Sequence, residues 1–278
     1  MVALLGVFLV VTLFASSFGN ADVVSLDDKD CAGGYIFVDK EIVIDGPFDG
    51  DCILQFETQE DRILAFTVVD GDMKEALRFF SIHDGLENNS PILLLENQKI
   101  LELASRKDLP AALYTTQSGA EIKFIKLPTS NFQLKIQKAV ICPFNLGVDS
   151  QCGRVVDETS CYCATFTNRN QADQTMYCVD NNMKLISFEN ATEEERVQAA
   201  WGTQTPFWTS LTDTRREGTW LWESSMTIPD YTNWYPGRPN SVSSNTDDCM
   251  AYGGATFLTF WGDVGCATMA HAVCEAQP

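Results

Sequence analysis

Ten cysteines constrain the fold of this 278-residue chain more than any other feature. All of them lie at or after Cys31, and an even set of this size is typical of a chain that is oxidised into disulfides outside the cytosol. A structural zinc site would need cysteines clustered with histidines at short spacings, and the only histidines are His83 and His271. The cysteines therefore predict a disulfide-bonded protein of an oxidising compartment.

The first residues have the pattern of a signal peptide. Residues 2–14 form an uncharged apolar run that is too short to span a membrane comfortably, and small residues at Gly19-Asn20-Ala21 suit cleavage before Asp22. We therefore expect a signal peptide at residues 1–21 and a secreted, extracellular mature chain. No later stretch reaches the length of a membrane span, so we expect no membrane insertion.

The formal charge of the chain is -19 at pH 7. A surface this acidic repels nucleic acids and anionic membranes at long range. We therefore expect no nucleic-acid partner.

The sequence of the first half of the chain predicts β-strands. Short runs rich in β-branched and aromatic residues alternate with turns such as Asp84-Gly85 and Ser118-Gly119. This pattern predicts an all-β sandwich. The predicted strands cover residues 41–44, 52–56, 63–69, 79–82, 92–95, 121–125 and 132–136.

The second half mixes helices with short strands. Ala172, Thr175, Met176 and Val179 fall on one stripe of a helix predicted at residues 171–181. Thr192 and Glu195 have the spacing of a capping box, which predicts a second helix at about residues 193–201. Beyond Trp201 the pattern indicates short strands and long loops, and therefore an α+β module.

Four cysteines of this half lie among three characteristic motifs. Cys178, Cys249, Cys266 and Cys274 are interleaved with Trp208-Thr209-Ser210-Leu211, with residues 234–240 and with Trp261-Gly262-Asp263. This arrangement resembles a C-type lectin-like domain. The resemblance implies disulfides between Cys178 and Cys274 and between Cys249 and Cys266, with a long loop region that carries binding.

The pairing of the next four cysteines stays open. Cys142, Cys152, Cys161 and Cys163 can pair in three ways. Longer members of the lectin-like family have an extra N-terminal bridge to a Cys-Tyr like Cys161-Tyr162, which gives Cys152 or Cys142 as its partner.

The N-terminal half carries a second resemblance. Cys31-Ala32-Gly33-Gly34, residues 51–55, residues 66–70, residues 81–85 and Ser130-Asn131-Phe132 are similar to a CUB domain. We expect a disulfide between Cys31 and Cys52, and the second disulfide of the family is missing. Some CUB domains bind calcium through an Asp that is matched here by Asp70 and through a later Asp. In this sequence the position of the later Asp falls near Leu127-Pro128. We therefore interpret Asp70 as a loop residue.

These resemblances divide the chain into parts. Pro143, Gly147 and Gly153 lie between the two pattern types and indicate a boundary. We expect a CUB-like β-sandwich at residues 22–141, a linker and N-terminal extension at residues 142–160, and a disulfide-stapled α+β C-type lectin-like domain at residues 161–278.

The calcium motifs of sugar-binding C-type lectins are only partly present. Those members use Glu-Pro-Asn or Gln-Pro-Asp, an acidic residue before Asp-Cys, and Trp-Asn-Asp, where this chain has Arg238-Pro239-Asn240, Asp247 and Trp261-Gly262-Asp263. The resemblance implies Asn240, Asp247 and Asp263 as metal ligands, but three protein ligands make at best a weak calcium site. Arg238 has only donors and cannot ligate a metal.

Arg238 therefore suggests a different arrangement. We hypothesise that its guanidinium occupies the space of a calcium-ligating carboxylate and forms a salt bridge to Asp247 or Asp263. Tyr235 and Arg238 flank Pro236-Gly237 on a loop that we expect to be exposed. The candidate ligand-binding residues are Tyr235, Arg238, Asn240, Asp247 and Asp263.

Other conspicuous residues have simpler interpretations. We expect the tryptophans after residue 201, apart from Trp234, to build the core. The acidic residues 193–195 are interpreted as charges that stabilise a helix N-terminus. Neither histidine lies beside a nucleophile motif, so we expect no enzymatic activity. Asn88 and Asn190 begin N-glycosylation sequons.

The predicted function is recognition of carbohydrates or glycoconjugates by a secreted C-type lectin, with glycans or glycoproteins as partners and pattern recognition as a biological setting. The alternative is a calcium-independent extracellular module that binds other proteins.

Overall fold

The protein is described here by a computed structural model, which covers residues 22–24 (backbone only), 32–45, 52–69, 71–97, 110–125, 133–240 and 246–278. Its N-terminal half contains two β-sheets. In order across the first sheet, the strands are β1 (Asp22–Val24), β3 (Ile42–Asp45), β9 (Gln133–Ala139), β5 (Ile63–Val68) and β7 (Ala112–Tyr114). Across the second they are β2 (Ala32–Phe37), β4 (Cys52–Glu57), β8 (Gly119–Phe124) and β6 (Phe80–Asp84).

The two sheets share one hydrophobic core. Phe56 of β4 and Phe66 of β5 meet edge to face with ring centroids 6.4 Å apart. Inward-facing residues of β4 alternate with more exposed ones, as expected for a strand that covers a core on one face. Further core residues from both sheets are Ile44, Leu54, Ile82, Ile122, Leu134 and Ile136.

The structure departs from the predicted strand pattern in several places, since β1, β2 and β7 lie outside the predicted strands. Residues 92–95 do not form a strand: Ile92 makes an isolated bridge to His83, and a 3-10 helix follows at Leu95–Asn97. A short helix, α1 (Met73–Ala76), interrupts the all-β pattern. It forms because the Asp72 carboxylate accepts hydrogen bonds from the first free backbone amides of the helix. Asp70, Leu127-Pro128 and Cys31 lie outside the described residues.

A buried arginine joins the segment 142–160 to the N-terminal half. Arg154 donates hydrogen bonds to the carbonyl oxygens of Val140, Thr159 and Ser160. Its guanidinium lies 4.3 Å from the centre of the Tyr114 ring in β7. Val140 and Tyr114 precede residues 142–160, whereas Thr159 and Ser160 lie within that segment. Arg154 therefore holds the segment against the N-terminal half.

The C-terminal half is built on a single sheet. Its main path runs β10 (Ser150–Gly153), β11 (Cys161–Arg169), β17 (Ala270–Ala276), β13 (Pro206–Thr212), β15 (Cys249–Gly253) and β16 (Trp261–Val264). Short strands β12 (Lys184–Leu185) and β14 (Leu221–Trp222) pair with β17 and β13. The helices are α2 (Gln171–Asp180), α3 (Ala191–Trp201) and α4 (Gly254–Phe257).

Helix α2 lies where it was expected but presents the opposite face. Met176 and Val179, which belong to the predicted apolar stripe, are exposed, whereas Gln174 and Cys178 are buried. The polar Gln174 can be buried because its amide donates to the carbonyl oxygens of Thr167 and Ala270. These contacts and the disulfide of Cys178 determine the orientation of the helix.

Helix α3 begins earlier than predicted. Its N-cap is Asn190, whose side-chain oxygen accepts from the Glu193 amide at 3.0 Å. The Glu193 carboxylate in turn accepts from the Glu189 amide at 2.8 Å. Reciprocal capping therefore occurs, but with Asn190 and Glu193 rather than with the predicted Thr192 and Glu195, because an asparagine caps a helix as well as a threonine does.

Four disulfides join cysteines of the C-terminal half. Cys178 is bonded to Cys274, and Cys249 to Cys266, which are the pairs that the family resemblance implies. The pairs left open by the sequence are Cys142 with Cys161 and Cys152 with Cys163. Cys52 is also disulfide-bonded, and its expected partner Cys31 falls outside the described part of the chain.

Candidate functional site

The candidate binding loop starts near Asn233, where its backbone is hydrogen-bonded to β16. The Tyr235 amide donates to the Trp261 carbonyl oxygen, and the Trp261 amide donates to that of Asn233, both at 2.8 Å. The chain then turns, with the Arg238 amide donating to the Tyr235 carbonyl oxygen and Gly237 at a φ of 86°. This positive φ favours glycine at the turn. The loop therefore leads Arg238 back toward the strand that carries Asp263.

Asp263 is the centre of the site. It is fully buried in β16, and its Oδ1 accepts a hydrogen bond of 2.9 Å from Arg238 Nη1. Its Oδ2 accepts one of 2.6 Å from the Asn240 backbone amide. Arg238 Nη1 also lies 3.6 Å from Asp247 Oδ2. Arg238 thus makes both of the ion pairs that the sequence offered as alternatives.

An aromatic ring fills the space beside this ion pair. The Arg238 guanidinium carbon lies 5.7 Å from the centre of the Phe257 ring, in the range of a cation-π contact. The same ring packs directly on Gly262, so that a Cβ atom added there would overlap it. A larger residue cannot stand at position 262 unless Phe257 moves, and the sequence alone did not point to this contact.

The residues present do not fit a calcium ion at this position. Calcium needs about six to eight oxygen ligands. Here each carboxylate oxygen of Asp263 already accepts a hydrogen bond from an N–H donor, and the permanent positive charge of Arg238 faces the same carboxylate. Within the described ranges, no group of three or more His, Cys, Asp or Glu side chains could hold a metal. Asn240, Asp247 and Asp263 are brought together, but around a guanidinium.

A partly exposed apolar surface adjoins the ion pair. The Tyr235 ring lies 6.0 Å from Phe257 and 6.1 Å from Phe260, centre to centre. Leu258 and Phe260 are exposed, like Tyr235. The sequence predicted Tyr235 but missed Leu258 and Phe260, although one signal was available: residues 249–262 contain no charged side chain.

Two glutamates of α3 have a structural role that the sequence interpretation missed. Glu194 is buried and accepts hydrogen bonds from Trp261 Nε1 at 2.8 Å and from the Tyr231 hydroxyl at 2.7 Å. Glu193 is also buried and accepts from the Tyr162 hydroxyl at 2.8 Å. Burial raises the pKa of both carboxyls. Glu194 therefore anchors the start of the binding loop. This role is additional to the position of both glutamates in the first turn of α3, which the sequence predicted.

The tryptophans after residue 201 were expected to lie in the core, apart from Trp234, and most of them do. Trp208, Trp222 and Trp261 are buried in the core. Trp220 and Trp234 are half-buried, with ring centres 4.8 Å apart. The two partly exposed rings form an edge-to-face pair next to the core, so Trp220 belongs with Trp234 rather than with the buried set.

Comparison with known proteins identifies the C-terminal half. Residues 167–276 match the family model described as Lectin C-type domain. CD209 antigen-like protein D of Mus musculus is 27% identical over 157 residues, which are 54% of this chain and 64% of that protein. C-type lectin mosGCTL-7 of Aedes aegypti is 28% identical over 111 residues, which are 36% of this chain and 73% of the relative.

Two solved structures are also similar to part of the chain. The mouse scavenger receptor C-type lectin carbohydrate-recognition domain has a TM-score of 0.37 and 23% identity, covering 42% of this chain and 88% of its own. A calcium-independent type II antifreeze protein has a TM-score of 0.41 and 21% identity, covering 50% of this chain and 96% of its own.

The family match and the disulfide-stapled α+β sheet define a C-type lectin fold in the C-terminal half. Residues 167–276 are its C-type lectin domain. The chain spans 64% of the mouse relative named above. No helix in the described part of the chain has the length and apolar character needed to cross a membrane.

Proposed function

We propose that this chain is a secreted protein that recognises carbohydrates or glycoconjugates through its C-type lectin domain without using calcium. The observation that carries the proposal is the ion pair between Arg238 and Asp263. The guanidinium supplies the positive charge that the buried carboxylate needs, so the loop is held in place by the protein itself. Calcium would then be dispensable for the shape of the loop.

Ligand hydroxyl groups would bind by hydrogen bonds. The Arg238 side chain is 30% exposed and the Asp247 side chain 36% exposed, whereas that of Asp263 is fully buried. Arg238 can donate to sugar oxygens through N–H groups that do not face Asp263, and Asp247 can accept from sugar hydroxyls. Asp263 would position Arg238 without touching the ligand.

The remaining features belong to the same proposal. The N-terminal sandwich is taken as CUB-like, with boundaries at residues 22–141, 142–160 and 161–278. Signal-peptide cleavage after residue 21 would give a secreted glycoprotein with sugars on Asn88 and Asn190, both of which are exposed. The protein would act in binding, in a setting such as pattern recognition, and not as an enzyme.

A second candidate function is protein binding without calcium. Tyr35 and Phe37 lie on β2, at the edge of the second sheet of the sandwich, and both rings are exposed. Exposed aromatic side chains on a sheet edge are typical of contact surfaces for other proteins. This observation favours an extracellular protein partner for the N-terminal half.

A glycan array separates the two candidates. The full mature chain would be applied to the array in calcium and again in EDTA, with Arg238→Met as a variant that removes the guanidinium. We expect binding to a defined group of glycans in both buffers and weaker binding by Arg238→Met. Absence of glycan binding in both buffers would reject the carbohydrate proposal and leave the protein-binding candidate.

A further inference from the structure

Strand β2 is an edge strand with two exposed aromatic side chains. It lies at the end of the second sheet of the sandwich, where the described strands pair it with β4 alone. Tyr35 is 55% exposed and Phe37 is 51% exposed. Because side chains two residues apart on a strand point to the same face, both rings stand on the outer face of the sheet. Ile36 and Val38 pack toward the core, so β2 has an aromatic outer side and an apolar inner side.

A carboxylate of β4 lies beside this aromatic face. The Tyr35 hydroxyl donates a hydrogen bond of 2.6 Å to Glu57 Oε2, and Phe37 is the residue of β2 that is in register with Glu57. On the other side of β4, Glu57 is in register with Gly119, which has no side chain. Tyr35, Phe37 and Glu57 therefore form one surface, which we call the 35/37/57 surface.

The charge of this surface is negative and unbalanced. Among the described residues, no lysine or arginine lies within ion-pair distance of Glu57, whereas the neighbouring Glu121 of β8 is paired with Lys123 at 2.9 Å. A cation that approaches Glu57 gains from its charge and can also contact the faces of the two aromatic rings. A second copy of this chain, with its own net charge of -19, would be repelled. The surface therefore fits a cationic segment of another protein.

The backbone of β2 determines how such a segment would be held. The Val38 amide donates to the Glu57 carbonyl oxygen at 2.7 Å, and so points toward β4. Since successive amides of a strand point to opposite sides, those of Tyr35 and Phe37 point away from β4, toward the edge of the sheet. An extended segment that lies along this edge can form hydrogen bonds to these groups as an added strand.

We propose that β2 accepts an extended segment of a partner protein as an added strand. In this segment, lysine or arginine side chains contact the 35/37/57 surface and alternate with apolar side chains on the inner side of the sheet. The inference rests on the second candidate function and names the chemistry of the partner. It does not involve the C-type lectin domain.

The test measures peptide binding to the full mature chain by calorimetry at physiological salt. The probes are synthetic peptides of equal length in which valine alternates with lysine, with glutamine or with glutamate. A further peptide has the composition of the lysine peptide, but its lysines and valines stand in separate blocks. Only the alternating lysine peptide matches the proposed strand, because only it combines a cationic outer side with an apolar inner side.

The variants are Glu57→Gln and Phe37→Ser, each with a matched control. Glu75→Gln makes the same change of charge at an exposed position on α1. Phe144→Ser removes a ring that is 59% exposed, close to the value for Phe37, and that lies outside the surface. Thermal unfolding of each variant verifies that the fold is retained.

We expect the alternating lysine peptide to bind more tightly than the other peptides. Glu57→Gln and Phe37→Ser should each weaken its binding about fivefold to tenfold, while both controls bind as the wild type does. Bound peptide should also slow hydrogen exchange at the Tyr35 and Phe37 amides.

Four results would overturn the proposal. Glu75→Gln weakening the binding as much as Glu57→Gln would show a general attraction to an acidic chain. Unchanged exchange at the Tyr35 and Phe37 amides would rule out strand addition. Equal binding of the blocked lysine peptide would show that the alternation is irrelevant. A wild-type dimer that Phe37→Ser dissociates in sedimentation would assign the surface to a second copy of the chain.

Two outcomes separate this inference from the function on which it rests. If the glutamine peptide binds as tightly as the lysine peptide and Phe37→Ser weakens both, the cationic chemistry is wrong and the second candidate function stands. If no peptide binds to this surface, the inference fails, and the second candidate function loses the surface that favours it. Neither outcome changes the expectation for glycan binding, which the array tests separately.

Discussion

Arg238 donates a hydrogen bond of 2.9 Å to Asp263, a fully buried aspartate of β16. The second oxygen of the same carboxylate accepts from the Asn240 amide, so the charge holds both the side chain and the backbone of the binding loop. The cation that neutralises this buried carboxylate is therefore a side chain of the same domain.

The stability of the loop should depend on this carboxylate more than on its neighbour. Asp263→Asn replaces one acceptor oxygen by a donor that faces the Asn240 amide, and it removes the charge that pairs with Arg238. We expect the free energy of unfolding to fall by about 2 kcal/mol in chemical denaturation. Asp247→Asn is the control, since its carboxylate is partly exposed and 3.6 Å from Arg238, and we expect a loss below about 1 kcal/mol. Equal losses would contradict a central role for Asp263.

Position 262 should accept only glycine while Phe257 is present. Gly262→Ala places a methyl group against the Phe257 ring, and we expect a loss of about 1 to 3 kcal/mol in the free energy of unfolding. Gly265→Ala is the matched control, because a Cβ there meets only ordinary van der Waals contacts. The pair Gly262→Ala with Phe257→Ala should lose less than the sum of the two single changes. Additive losses would show that the ring does not restrict this position.

The same contact alters how a calcium site could be engineered. Arg238→Glu with Gly262→Asn restores the missing oxygen ligands in principle, but the asparagine would collide with Phe257. Adding Phe257→Ala makes room, and we expect calorimetry to detect calcium binding in this triple variant that is stronger than in the wild type. The double variant is the control and should be destabilised. A triple variant that folds and binds calcium no better than the wild type would refute the expectation.

The sequence predicted part of this fold and site. The cysteine and tryptophan motifs indicated the α+β module, and the chemistry of Arg238 indicated its ion pairs. The apolar periodicity predicted the wrong buried face of α2. The disulfide of Cys178 and the hydrogen bonds of Gln174 determine which face is buried. The roles of Glu194 and Phe257 depend on residues far apart in the chain, which local patterns do not reveal.

A buried acid should make stability depend on pH. Glu275 is fully buried, its Oε1 accepts from the Ser187 amide and hydroxyl, and burial raises its pKa from 4.5 to about 7. Between these two values the folded chain keeps a proton that the unfolded chain releases, so stability falls as the pH rises. We expect this group to contribute a decrease of about 2 to 3 kcal/mol between pH 4.5 and 7.

Glu275→Gln tests the contribution, because the amide keeps an acceptor and does not titrate. Denaturation curves of wild type and variant at several pH values should differ least near pH 4.5, with the variant gaining on the wild type toward pH 7. A difference that does not change with pH would mean that Glu275 titrates normally.

The junction between the two halves should contribute to stability without being needed for the sandwich to fold. We expect a fragment of residues 22–141 to have a β-dominated circular dichroism spectrum. In the whole chain, Arg154→Ala removes the donor to three carbonyl oxygens, and we expect a loss of about 2 kcal/mol. Arg216→Ala, at an exposed position, should have little effect. A disordered fragment would mean that the boundary is wrong or that the halves depend on each other.

The most direct test of calcium independence is a calorimetric titration of the full mature chain with a glycan selected on the array, performed once in EDTA and once in calcium. Because Arg238 supplies the charge that Asp263 needs, we expect the same dissociation constant in both buffers. Loss of glycan binding in EDTA, together with calcium binding that disappears in Asp263→Asn, would contradict it.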